Sequence, residues 1–300
     1  MMESSLIERA TWRDYYELCK PNVVWLMVIT AIVGMCMASP GMVPVDTVIF
    51  ASVGIALCAA SAAAVNHLAD QHIDAIMART SGRPLVKGKI DPLAAAMFAF
   101  VLGALGMFLL LTQINALTAW LTLASLVGYA FVYTFYLKRA TSQNIVIGGL
   151  AGAMPPLLGW TAVTNEVTGH GLLLVLIIFV WTPPHFWALA FARKEEYEKV
   201  DIPMLPVTHG RRHTAVQSLL YTLALFVVAL LPVAAGLSSW IYLVGATVLG
   251  GLFIRHAITV LRTMENRDAM KMFWFSIVYL LLIFPLMLID HYLLPAPFLN

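Results

Sequence analysis

The sequence predicts an all-α protein that crosses a membrane nine times, on three observations. Only 11% of its 300 residues are charged and 61% are hydrophobic, whereas soluble domains carry about 25% charged residues. The apolar residues gather into runs near the roughly 20 residues that a bilayer-spanning helix needs, with about 17 as the lower limit. The 18 cations sit at one side of those runs and not at the other.

Residues 1–21 open the chain. The stretch MMESSLIERATWRDYYELCK mixes both charge signs with aromatics and has no apolar h-region. It reads as a short interfacial helix with Trp12, Tyr15 and Tyr16 at headgroup level. Nine spans follow, at 22–38, 47–68, 92–111, 116–137, 144–163, 171–191, 214–236, 239–261 and 271–289. Connections as short as TQINA (112–116) and LSS (237–239) force antiparallel neighbours. Open sheet edges and irregular backbone cannot face lipid, so the spans are helices.

Paired prolines interrupt span 5 (GAMPPLLGW) and span 6 (WTPPHFW). Pro183 and Pro184 are expected to break the ladder of span 6 and free backbone carbonyls near its end. Such breaks are tolerated where they line a cavity; kinks that only improve packing are the other reading. The two largest polar loops, 69–91 and 192–213, follow spans 2 and 6. That offset of four spans suggests two pseudo-related four-helix halves plus a ninth helix, in one domain over 1–300.

The cations set the orientation. Loops 39–46, 112–115, 164–170 and 237–238 and the C-terminal tail hold no Lys or Arg, and all 18 cations, Arg9 to Lys271, belong to the other side. The positive-inside rule makes that side cytoplasmic, with the N-terminus there and the C-terminus opposite. The expected home is the plasma membrane, the inner membrane in a bacterium. With a net charge of only +2, no nucleic-acid partner is expected. Cys19, Cys36 and Cys58 are odd in number, lack metal-type spacing, and read as buried thiols.

Chemistry concentrates where span 2 ends, in NHLADQHIDAIMARTSGRPLVKGK (66–89). Asn66, Asp70 and Asp74 recur every four residues and so share one helix stripe. Two carboxylates and an amide oxygen are the hard ligands Mg²⁺ takes when substrate phosphates complete its shell. Arg83, Lys87 and Lys89 suit the remaining phosphate charge. The competing reading is a helix end whose acids pair with the arginines that follow. His67 and His72 fall on other faces, where packing and ligand roles both stay open.

A second cluster, WTPPHFWALAFARKEEYEKVDIPMLPVTHGRRH (181–213), places His185 and Trp187 just beyond the prolines. Its acids, Glu195, Glu196, Glu198 and Asp201, could supply a second metal or form a solvated loop face. In a third, YTFYLKRATSQN (133–144), Lys138 and Arg139 could be topology anchors, and Tyr133 and Tyr136 belt residues.

NxxxDxxxD at the end of span 2, with a second acidic loop after span 6, resembles the UbiA-type intramembrane prenyltransferase superfamily. LCKPNVVWL (18–26), RPLVKGKI (83–90), YTFYLKRATSQNIVIGGLAGAMPPLLGW (133–160), WTPPHFWALA (181–190) and DIPMLPVTHG (201–210) extend the likeness over almost the whole chain. PPHFWALA and IPMLPV are similar to its haem-modifying branch. The resemblance implies a reaction between farnesyl diphosphate and haem B, a substrate here, giving haem O for terminal oxidase assembly. It implies Mg²⁺ on Asp70, Asp74 and Asn66, with Glu196 as a further ligand. It also implies diphosphate contacts from Arg83, Lys87, Lys138 and Arg139, catalytic parts for Asp70, Asp74, Asn66 and Lys138, and haem contacts from His185 and Trp187. A haem A synthase or a terminal oxidase is the implied downstream partner.

Two departures stand out. The superfamily's second DxxxD is here RKEEY, with Arg193 and Tyr197 at the aspartate positions. Tyr133 and Lys138 are five residues apart, where quinone-type members have four. The rival readings are prenylation of a quinone precursor or other aromatic acceptor, and, from another class, a secondary transporter. Against the transporter, the acids cluster at one face, leaving Asp46, Glu166 and Asp290 on the other.

Overall fold

The computed structural model describes residues 10–294. Arg9, the start of the expected interfacial segment and the tail ending at Asn300 lie outside the described residues. Among those described there is no strand, and eight helices are long and apolar enough to span a membrane. They are span 2 (Val45–Ala69), span 3 (Pro92–Ile114), span 4 (Ala116–Ala140), span 5 (Asn144–Thr164), span 6 (Gly169–Ala192), span 7 (Gly210–Ala234), span 8 (Trp240–Thr263) and span 9 (Asn266–Leu293). Span 1 (Pro21–Met37) makes the ninth together with the short helix Trp12–Leu18, which it meets at a 56° bend.

Local chemistry sets these ends. Asp91 accepts from the Leu93 and Ala94 amides, Asn115 from Thr118 and Thr168 from Gly171, so side chains cap spans 3, 4 and 6. Proline at the first helical position starts spans 1 and 3. In the short first helix Trp12 and Tyr16 are exposed, as an interfacial role requires, while Tyr15 packs edge-on against Phe98 at 5.0 Å.

The pairings of spans 1–2, 2–3, 3–4, 4–5 and 2–5 recur as 5–6, 6–7, 7–8, 8–9 and 6–9. These five pairings repeat with an offset of four spans, as the loop positions predict, whereas the 1–5 and 2–4 contacts have no counterpart of similar extent. Spans 1 and 5 cross where both are smallest. A Cβ on Gly159 would meet the Ala31 carbonyl oxygen at 1.8 Å, and one on Gly34 the Pro156 oxygen at 1.9 Å. Spans 3 and 4 turn Phe100, Phe108, Trp120, Phe131 and Phe135 outward, the side expected to meet lipid.

The two proline pairs behave differently. Span 5 breaks at Met154 into Asn144–Ala153 and Pro155–Thr164. Span 6, expected to break, is continuous through Pro183 and Pro184, both buried. It packs against spans 5, 7 and 9, and those contacts hold the helix together despite two missing amide donors. Span 4 departs in another way: Gly128–Leu137 is a π-helix, as is Leu110–Ile114 at the end of span 3.

Both polar loops are folded. Loop 69–91 carries a short helix, Gln71–Ile76, and anchors Leu85 and Ile90 against Leu18, Ala64, Ala95 and Ala99. Loop 192–213 carries Lys194–Glu198 and Leu205–Thr208. Its Tyr197, Ile202, Met204 and Leu205 pack on Met77 of the first loop, with Ile145 and Trp187. The motif IPMLPV is thus the apolar clasp that joins the two loops. At the opposite end Asp290, fully buried, accepts from the Ser239 hydroxyl at 2.8 Å and the Tyr242 amide at 3.1 Å. It thereby caps span 8 from span 9.

Candidate functional site: a buried aspartate stripe under two folded loops

Span 2 ends at Ala69, and its stripe carries on across the kink at Asp70. The Asp70 amide donates to Asn66 O at 3.0 Å and the Asp74 amide to Asp70 O at 2.8 Å, so the four-residue spacing survives. Asn66, Asp70 and Asp74 are each only 4% exposed. Buried carboxylates need compensating charge, and three separate elements deliver it. Lys138, at the end of span 4, donates to Asp70 Oδ2 at 2.7 Å; Arg83, in loop 69–91, pairs with Asp74; Lys20, just before span 1, donates to Asn66 Oδ1. The Asn66 amide nitrogen bonds Asp70 Oδ2 at 3.0 Å and Thr134 Oγ1 at 3.2 Å.

The π-helix explains the five-residue spacing. A π turn closes from residue i to i+5, as the Lys138 amide does on Tyr133 O. Tyr133 and Lys138 are therefore one turn apart, the relation that four residues give in an α-helix. Tyr133 stacks on Tyr129, ring centroids 5.5 Å apart. Gly148 leaves room for its ring: a Cβ there would lie 2.2 Å from Tyr133 Cδ2.

These groups line a polar cavity of about 650 Å³, with Lys20, Asn66, His67, Asp70, Asp74, Arg79, Arg83, Lys138 and Tyr197 among its walls. It adjoins two apolar spaces. One of about 120 Å³ runs between spans 1, 2, 4 and 5 past Ile55, Cys58 and Leu158. The other, about 530 Å³, lies between spans 1, 4, 5, 6 and 9 and is walled by Trp181, His185, Phe186, Phe273 and Leu280. Tyr129 lines all three.

In the wider chamber His185 lies between Trp181 and Phe273, at centroid distances of 4.2 and 4.7 Å. Its Nδ1 meets Ser276 Oγ at 2.6 Å, and that hydroxyl donates its proton to Phe273 O. With the hydroxyl proton assigned to Phe273 O, Ser276 Oγ accepts from Nδ1–H and Nε2 keeps its lone pair.

Other expected residues lie elsewhere. Glu196 does not line the polar cavity; its carboxylate turns back to Arg193 at 2.7 Å, and the neighbouring Tyr197 enters instead. Burial raises the Tyr197 phenol above its usual pKa. Lys87 and Arg139 are exposed and outside the lining, as is His72. Trp187 is 1% exposed in the clasp between the loops, edge-on to Tyr221, and lines none of the three cavities. Lys20, Arg79, Tyr129 and Tyr197 also line the cavity, and the sequence marks them only by the Lys-Pro dipeptide, the tyrosine spacing and the place of Tyr197 in RKEEY.

Among the described residues no three His, Cys, Asp or Glu side chains gather closely enough to hold a metal by themselves. The donor set fits a hard cation that takes its remaining oxygens from a ligand. Residues 27–282 match the UbiA prenyltransferase family. The chain belongs to that family. With its apolar helices, it is an integral membrane protein.

Family relatives are close in sequence. The protohaem IX farnesyltransferase of Saccharophagus degradans is 62% identical over 96% of this chain and 95% of its own. That of Shewanella denitrificans is 61% identical over 94% of each. Among solved structures, a digeranylgeranylglyceryl phosphate synthase superposes with a TM-score of 0.80 at 19% identity, covering 94% of this chain and 99% of its own. A UbiA homologue from Archaeoglobus fulgidus bound to GPP and Mg²⁺ gives 0.62 at 16%, covering 91% and 99%. At such identities these two speak for the fold alone.

Proposed function

We propose that this chain transfers the farnesyl group of farnesyl diphosphate to a vinyl group of haem B, adding water, to give haem O. The observation that carries the reading is a buried aspartate stripe, matched by cations, that adjoins an apolar chamber holding a histidine hydrogen-bonded to Ser276. Near-identity in length and 62% identity to a protohaem IX farnesyltransferase support it.

Asp70, Asp74 and the Asn66 amide oxygen would hold Mg²⁺. When bound with the diphosphate, Mg²⁺ supplies charge neutralisation to the leaving group. Lys138, Arg83 and Lys20 add positive charge beside it, each such contact being worth roughly 3–4 kcal/mol toward a developing anion. The C–O bond breaks with its electron pair on the diphosphate oxygen. The allylic carbon bonds the terminal vinyl carbon, and water adds at the cation left beside the macrocycle, losing a proton. Tyr129 and Tyr133 stand where these parts meet, and their rings stabilise a passing allylic cation. The loop clasp over the cavity keeps stray water out. His185 Nε2 is the haem-iron contact. The membrane is a bacterial inner membrane, and its cationic face is cytoplasmic, an orientation supported by the one-sided cations.

Purified protein with haem B, labelled farnesyl diphosphate and Mg²⁺ tests this by chromatography. Label co-migrating with a haem supports the proposal. Label found only on an added aromatic acid would favour the quinone-precursor reading instead.

A further inference from the structure

Lys20 closes the first helix in a left-handed backbone conformation, its amide on Glu17 O at 3.1 Å, at a position that helices usually give to glycine. Its φ of 48° and ψ of 59° lie in the left-handed region, which costs a side-chain-bearing residue energy, and the following Pro21 favours extended backbone instead. It sits in the 56° bend between the first helix and span 1. The conformation brings its ammonium to Asn66 Oδ1, 46 residues away in sequence.

One oxygen of each stripe residue is thus engaged by a different cation: Asn66 Oδ1 by Lys20, Asp70 Oδ2 by Lys138, and Asp74 Oδ2 by Arg83. A divalent cation is repelled by all three charges, and at Asn66, which has a single oxygen to offer, it competes directly with Lys20. A diphosphate reverses the balance, because its oxygens receive the displaced ammonium and guanidinium groups as charge-assisted hydrogen bonds. Of the three arms, Lys20 is the one on a neutral partner and a disfavoured backbone, so it is the easiest to move.

We propose that Lys20 is an exchange arm: it holds Asn66 until a diphosphate draws it away, so that metal and diphosphate bind as a coupled pair and not metal first. This rests on the reading of the stripe as a metal–diphosphate centre and adds the coupling and its residue. Coupling between two ligands is reciprocal and typically about 5- to 150-fold.

The test uses the full chain in lipid nanodiscs, with Mn²⁺ in place of Mg²⁺ and farnesyl S-thiolodiphosphate as the inert diphosphate. Unbound Mn²⁺ is read by electron paramagnetic resonance, with no turnover required. In the wild type the analogue is expected to tighten Mn²⁺ binding at least about 30-fold. In Lys20→Met, Mn²⁺ alone should bind about 10-fold tighter than in the wild type, and the coupling should shrink by a similar factor. Lys20→Arg should keep the wild-type coupling, and Lys20→Gln, which retains a donor to Asn66, serves if the methionine variant does not fold. Wild-type coupling with unchanged Mn²⁺ affinity in a folded Lys20→Met or Lys20→Gln protein would overturn the exchange role alone. Absence of coupling in the wild type would instead sink the metal–diphosphate centre.

Discussion

Asp70 and Asp74 compensate one cation each, but their oxygens are also the only carboxylates of the stripe. Asp70→Asn and Asp74→Asn should each lower turnover at least about 100-fold, measured as haem O formed, while the protein still inserts. Near wild-type turnover at limiting Mg²⁺ in either variant would contradict their role. Glu196→Gln and Glu195→Gln should both stay near wild type, because each acid pairs with an arginine and neither lines the cavity, and ion pairs that keep contact with solvent contribute little. A selective loss in Glu196→Gln would mean that Arg193 releases it to the site. His185→Ala should shift the Soret band of the haem-loaded protein; an unchanged spectrum would remove His185 from the iron. The spacing of Asn66, Asp70 and Asp74 was legible because one helix periodicity places all three. Lys20 was not, because a lysine before a proline looks like a topology anchor until a left-handed turn aims it at span 2. Trp187 misled for the converse reason: its neighbour His185 lines the chamber, but two residues along a helix face nearly opposite ways.

Helix boundaries were readable almost throughout, since apolar length and loop charge both mark them. The internal geometry was not. Within Gly128–Leu137 aromatic and aliphatic residues fall on every side, so the hydrophobic pattern there does not separate an α-helix from a π-helix. The proline rule likewise sees the missing donors of Pro183 and Pro184 but not the three spans packed around them. The crossing of spans 1 and 5 offers a sharp test at this scale. Gly159→Ala puts a methyl against the Ala31 carbonyl, and overpacking of this kind costs about 1–3 kcal/mol. Its thermal unfolding midpoint should fall by several degrees, whereas Gly152→Ala, with open space around it, should leave the midpoint unchanged. Equal midpoints would mean that the two spans are not in backbone contact.

The whole molecule is one-sided: cations, folded loops and polar cavity share an end, and Asp290 caps the other. A reporter active only outside the cytoplasm should be off when inserted at Gly88 and on when inserted at Glu166; the reverse would invert the proposed orientation. The exposed turn at Gly88 has nothing within 4 Å of an added Cβ, so an insertion there is sterically open. The same asymmetry has a kinetic consequence. Around the polar cavity Arg13, Lys20, Arg79, Arg83 and Lys138 face Glu17, Asp70 and Asp74, five positive charges against three negative. An anionic membrane surface pushes a diphosphate away, and this local surplus pulls it back over about one Debye length. Diffusional capture, not chemistry, is what such a field accelerates. Raising ionic strength should therefore lower kcat/KM for the diphosphate substrate while leaving kcat level, so the protein works as an electrostatic funnel whose mouth narrows as salt is added.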